Sequence, residues 1–221
     1  MNKKMSLTEP EGLDLNSILV GVPQIIPTMK LPDPYLRDFY VDEQERVLWL
    51  DATIDDNSLS ISKAIFRYNK DDDGVPIEER KRILLMINSG GGVVQVGQSI
   101  IGAINMSKTP VDTCVYCVAY SMAADIFACG ARRYMFPFTS VMFHAGSGTY
   151  QGTQSQIDCA KTFMDAELKR LFEEVMSHTS FDTKMKNKIK REDVFLNEND
   201  AVKWGVADKV VSNFDELLGR K

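Results

Sequence analysis

An α/β fold built on a mostly parallel sheet is the class this sequence predicts, and three features predict it. Ile83 to Ile87 and Thr113 to Tyr120 are continuous apolar runs rather than alternating ones, the pattern of strands buried on both faces. Each runs into a segment of helical character, Val93 to Met106 and Ser121 to Gly130. A third strand, Val141-Met142-Phe143, follows, so the centre of the chain alternates strand and helix, as a sheet covered by helices requires.

The remaining elements fall around that centre. Residues 1–35 hold Pro10, Pro23, Pro27, Pro32 and Pro34 and one apolar patch, Ile18 to Ile26, which predicts a flexible N-terminal segment ahead of one domain spanning 36–221. Val47-Leu48-Trp49-Leu50 reads as a short buried strand. Asn57 to Tyr68 suits a helix with Leu59, Ile61, Ala64, Ile65 and Phe66 as apolar positions. Asp71-Asp72-Asp73-Gly74 reads as a loop, and the ligand spacing of a calcium loop does not follow it. Pro110 breaks the helix that starts at Val93.

From Ser155 to His178 the pattern is one long amphipathic helix. Ile157, Ala160, Met164, Leu168, Leu171 and Val175 recur at helical spacing, and Thr153 with Gln156 offers a capping box. Phe163, Phe172 and Met176 widen the apolar surface, which predicts packing against another subunit as well as its own core. Asn199 to Trp204 reads as a short helix closed by Gly205, and Val206 to Val211 as a last strand.

Composition narrows the function. The chain is 44% hydrophobic and 26% charged, which suits an ordinary soluble domain. A net charge of −5 and the lack of a basic stripe argue against nucleic acid. Lys184, Lys186, Lys188, Lys190 and Arg191 read as the solvated face of a short helix. No apolar stretch is long enough for a bilayer, and Met1 to Asn16 lacks a secretory core, so the expected compartment is cytoplasmic or equivalent. Cys114 and Cys117 form C-x-x-C inside a strand, where the side chains diverge; with no second pair they predict buried free thiols rather than a metal site, and no cofactor is expected.

Chemistry concentrates on few residues. Ser121 stands where a strand turns into a helix, so the free N–H groups of the first helical turn favour negative charge developing there. A plain N-cap is the alternative. Of the two histidines, His178 ends the long helix, whereas His144 ends a strand beside Ala145-Gly146-Ser147-Gly148 and can act as general base to a serine. Gly90-Gly91-Gly92 can present a backbone N–H to an oxyanion, and Met122 N–H a second. The glycines can equally form a plain turn or an anion-binding helix start; no Lys-Ser/Thr follows to make a phosphate loop.

Met86-Ile87-Asn88-Ser89-Gly90-Gly91-Gly92 resembles the strand and Ser-Pro-Gly-Gly turn of the Clp protease proteolytic subunit family. Ala119-Tyr120-Ser121-Met122-Ala123-Ala124 resembles its nucleophile turn, Val141-Met142-Phe143-His144 its Val-Met-Ile-His, and Tyr150-Gln151-Gly152 its Tyr-Gln-Gly. Asp193-Val194-Phe195-Leu196 and Asp200 to Asp208 are similar to its C-terminal segments, and the matches run in order from about Leu36 to Val211.

The resemblance implies a fold of stacked βαβ units shared with crotonases, with residues 155–178 as a handle helix. It implies Ser121 as nucleophile, His144 as base and Asp193 as the acid orienting it, with Gly92 and Met122 as oxyanion donors. Asp193 rests on the resemblance alone, because 31 acidic residues compete. Gly91, Val93, Ala145 and Gly146 are implied as substrate-binding residues. A homo- or hetero-oligomeric double heptameric ring, an AAA+ unfoldase partner, and peptides or unfolded proteins as substrates are implied with them.

Some positions depart from the family. Gly90 replaces its proline, which is expected to loosen the turn, and Tyr120 replaces a small residue, with a ring expected to narrow or restack the site. Ala145-Gly146 replaces Gln-Pro and softens the support of His144, and Arg191-Glu192-Asp193 puts an acid where arginine often contacts the opposite ring. Three other readings accompany the peptidase: a poorly active structural subunit of a mixed ring, a phage capsid-maturation protease of the same fold, and an acyl-CoA enzyme of the crotonase type.

Overall fold

One seven-stranded sheet carries the described part of the molecule. Its strands are β1 (Val47–Leu50), β2 (Ile83–Ser89), β3 (Val111–Tyr120), β4 (Arg133–Met135), β5 (Ser140–Phe143), β6 (Val194–Asn197) and β7 (Lys209–Val210). The computed structural model describes residues 41–218. The segment expected over 1–35, and the boundary at 36, therefore lie outside the described residues. The chain divides into two units at Glu45/Arg46, and the fold below belongs to the second.

The path β1-β2-β3-β4-β7 is parallel throughout, and β5 branches from β3 to pair with β6, the single antiparallel contact among these strands. β2 explains the continuous apolar run. Ile83, Leu85 and Ile87 enter the main core, while Leu84 and Met86 join Cys114 in a second cluster on the opposite face. Each such side chain contributes roughly 1.5–3 kcal/mol by leaving water.

Helices α1 (Leu59–Asp71), α2 (Val94–Met106) and α3 (Met122–Ala128) follow the first three strands. The packing of α2 on α3 is close, since a side chain at Gly97 would overlap the Met122 thioether. After β5 come α4 (Gln154–Ser177), α5 (Thr183–Ile189), α6 (Glu198–Lys203) and α7 (Phe214–Leu218). The expected Thr153–Gln156 capping box starts α4, which spans about 36 Å at 1.5 Å per residue. Of its 24 residues only Val175 and Met176 are buried. The stripe from Ile157 to Leu171 is half-exposed, and Phe163 points out at 64% exposure. Arg133 clamps the helix end by donating to the His178 and Gly205 carbonyls while pairing with Asp208.

Several expectations need correction. Phe66 and Trp49 are exposed rather than core, because α1 and the edge strand β1 each turn one side outward. Cys117 is exposed while Cys114 is buried. The last strand is only Lys209–Val210, and β4, too short to show a period, was not expected. Asp71 belongs to α1 and residues 72–74 form the turn after it, in which Asp72 is buried, with Arg46 donating to both carboxylate oxygens at 2.7 Å and Thr109 Oγ1 donating at 2.6 Å.

The Arg46 hydrogen bonds, against the opposing effect of burial, hold the Asp72 carboxyl below its usual range. A depressed native value means the pair's stabilisation is present above the unfolded value near 3.9 and is lost as pH falls through the lower native one. Asp72→Asn should cost roughly 2–4 kcal/mol at pH 7 by leaving the half-buried Arg46 without its charge partner. Urea midpoints measured from pH 6 down to pH 2 should converge for the two proteins below pH 4; an unchanged gap would contradict this.

Candidate active site

The site forms where β3 changes partners. Its first half pairs with β4, Val115 opposite Met135, and its second half with β5, Val118 opposite Ser140. On the other side the register with β2 shifts between Ile87–Val115 and Ser89–Ala119, a bulge that adds two residues to β3. The strand thereby reaches past its neighbours and ends at Ser121.

Ser121 adopts φ 55° and ψ −129°, a positive-φ state costing an L-residue about 1–3 kcal/mol. Three hydrogen bonds fix it. Its N–H donates to the Met142 carbonyl at 2.8 Å, and its own carbonyl accepts from Ala124 and Asp125 N–H. Its side chain makes no cap bond to α3, so the plain N-cap alternative does not hold. Instead Ser121 Oγ lies 2.7 Å from His144 Nε2.

The β5–β6 register brings the third residue in. Phe143 sits opposite Val194, so the next pair outward is His144 and Asp193. His144 Nδ1 is 3.6 Å from Asp193 Oδ1, longer than a hydrogen bond, and Asp193 is 57% exposed. With Nε2 accepting from the serine hydroxyl, the ring proton belongs on Nδ1, facing the carboxylate.

Gly91 and Gly92 press the β2 loop against this corner. A Cβ on Gly91 would come within 2.8 Å of Ser121 Cβ, and one on Gly92 within 2.3 Å of the Ile54 carbonyl oxygen. Ile54 brackets the loop, donating to the Gly91 carbonyl and accepting from Val93 N–H, both at 2.9 Å. The Gly92 N–H takes no part in that bridge. The Met122 N–H opens α3 and has no partner within its helix. Gly90 has open space around it and no positive φ; the turn it was expected to loosen is held by Ile54 and by Ser89 Oγ, which accepts from Gly91 N–H at 3.1 Å.

Tyr120 turns away from the serine. Its hydroxyl meets Ser140 Oγ at 2.9 Å, and its ring stands edge-on to Phe195 at 5.6 Å, so it braces β6 instead of narrowing the site. Ala145 and Gly146 line a cavity beside Ser121 and His144, whereas Val93 is exposed. His178 lies at the far end of α4, within 3.3 Å of Glu174.

One lining residue escaped the sequence reading. Asp125 sits four positions after Ser121, one helical turn on, amid the apolar Ala124, Ile126 and Phe127. A lone charge in an apolar helix, in phase with the serine, was the signal. Ile54 left none, since it acts through its backbone.

A strained serine, an imidazole hydrogen-bonded to its hydroxyl and a carboxylate 3.6 Å behind the imidazole stand together at this corner, the order of groups by which a serine can be activated. Residues 44–214 match the family model described as Clp protease. The chain is 32% identical over 197 residues to the ATP-dependent Clp protease proteolytic subunit of Carsonella ruddii (strain PV), covering 87% of this chain and 97% of that protein. The fold, the site and both matches agree: this chain is a peptidase and belongs to the Clp protease family.

Proposed function

We propose that the chain is a serine endopeptidase that uses Ser121, His144 and Asp193 as a triad. The 2.7 Å approach of Ser121 Oγ to His144 Nε2 carries this reading. Ser121 Oγ attacks the peptide carbonyl carbon as His144 takes its proton. The oxyanion accepts from the Gly92 and Met122 N–H groups, which the bridge to Ile54 and the helix leave available. His144 then protonates the departing amine. Water, deprotonated by His144, hydrolyses the acyl-enzyme and restores the serine. Asp193 keeps the Nδ1–H tautomer and stabilises the imidazolium. Its 3.6 Å gap closes by under 1 Å when substrate or a neighbouring subunit presses on its exposed loop. Gly91, Val93, Ala145 and Gly146 flank the bound peptide.

α4 supports a chambered assembly. A helix of 24 residues with two buried leaves an apolar stripe for a second subunit, which supports the double heptameric ring. The relative is named as ATP-dependent. In this chain the energy-requiring step belongs to a separate AAA+ unfoldase, which feeds unfolded protein to the chamber in a compartment that keeps thiols reduced, such as the cytoplasm.

A fluorophosphonate should label the wild-type chain at Ser121, and Ser121→Ala should lose both labelling and about 10⁴-fold or more of peptide turnover. An unlabelled wild type in every assembly state would remove the nucleophile. Gly92→Ala should lower turnover about 100-fold or more by displacing a donor, while Gly90→Ala should raise stability by about 0.4–1 kcal/mol; equal effects would contradict the assignment of the turn. Native mass should fall near 350 kDa, about fourteen copies of the 24.9 kDa chain, and a monomer at micromolar concentration would rule out a stable chamber.

A further inference from the structure

We propose that Asp125 makes the cavity beside Ser121 a specificity pocket for a basic side chain, lysine first, on the acyl side of the scissile bond; this deepens, and rests on, the serine-peptidase reading above. The cavity is bounded by both Ser121 and His144. When the serine attacks a carbonyl carbon, the side chain of the residue supplying that carbonyl starts only two bonds away. The cavity at the serine is therefore the place that side chain enters.

Its walls suit the stem of such a side chain. Val94, Met122, Leu171, Phe172, Met176 and Ile189 make them apolar, and the cavity is about 60 Å³. Met122 is pinned by its contact with Gly97, so that wall is rigid. The other side is formed by α4 and α5, which have few buried residues and can give way.

Among the described residues, Asp125 is the one carboxylate on the lining, and no lysine or arginine accompanies it. Asp125 is half-buried and lines the cavity. Burial alone pushes its carboxyl up to about 7, with neither hydrogen bond nor ion pair acting against that effect. The two carboxylates buried most deeply among the described residues each have a partner: Asp72 has Arg46, and Asp112 has Arg82. A carboxyl left this way destabilises the fold unless something cationic meets it. A lysine ammonium at the end of a four-carbon stem would supply that charge while its methylenes cover the apolar walls. In a cavity of about 60 Å³ the compact ammonium of lysine is the easier fit than the larger planar guanidinium of arginine.

The test compares two peptidyl diphenyl phosphonates that differ only in the side chain next to phosphorus, lysine-like or leucine-like, on the full-length chain in the assembly it forms. A simple fluorophosphonate is run beside them. The ratio of the two labelling rates is internal to each preparation, so a partly folded variant does not distort it. Wild type should prefer the lysine reagent by ~10-fold or more, and Asp125→Leu should reverse the preference. Asp125→Asn, which keeps the shape, should lower the ratio at least ~10-fold. If the fluorophosphonate labels Ser121 but the ratio is the same in all three proteins, the pocket assignment falls alone. If the fluorophosphonate labels nothing, the peptidase reading falls and takes the pocket with it.

Discussion

The molecule depends on one strand having two successive partners. β3 pairs with β4 along its first half and β5 along its second, and the bulge against β2 is what lets it run on to the second. A parallel sheet must satisfy every buried N–H and C=O, so the strand cannot simply overhang. β5 supplies the missing partners, ending with the Met142 carbonyl that accepts from Ser121 N–H. The same ladder that completes the sheet therefore sets the serine.

The three residues of the proposed triad are reached from that ladder by register. β5 delivers His144 one residue beyond Phe143, and β6, antiparallel to it, delivers Asp193 one residue before Val194. The strain at Ser121 is sustained because its neighbours cannot relax. Met122 is wedged against Gly97, a Cβ on Gly130 would strike Thr113, and Thr113 Oγ1 donates to the Phe127 carbonyl. A helix fixed this tightly at both ends holds its first turn, and the positive-φ corner ahead of it, in one place.

The other side of the site is built differently. α4 is anchored at its C-terminal end by Val175, Met176 and the Arg133 clamp, while its apolar stripe from Ile157 to Leu171 stays half-exposed among the described residues. Rigid sheet corner and lightly packed helix meet at the cavity containing Asp125. Geometry at the serine is thus set within one chain, whereas the far wall of the pocket depends on an element whose apolar stripe calls for a second subunit. This division places chemical precision on the sheet and adaptability on the helix.

The sequence by itself determined the fold class, because strands buried on both faces must be apolar at every position and helices must repeat at 3.6 residues. It determined α4 with its capping box and marked Ser121, His144 and the glycine turn, since a serine at a strand–helix junction and glycines beside it carry local signals. Asp193 came only by resemblance: nothing local distinguishes one carboxylate from thirty others. Tertiary structure decided that Tyr120 braces Phe195 rather than filling the site, that Asp72 is a buried partner of Arg46, and that Asp125 lines the cavity beside Ser121. These outcomes depend on contacts between residues distant in sequence, and on which side of a strand or helix finds a neighbour. Local periodicity shows which residues share a face; only packing decides what that face meets.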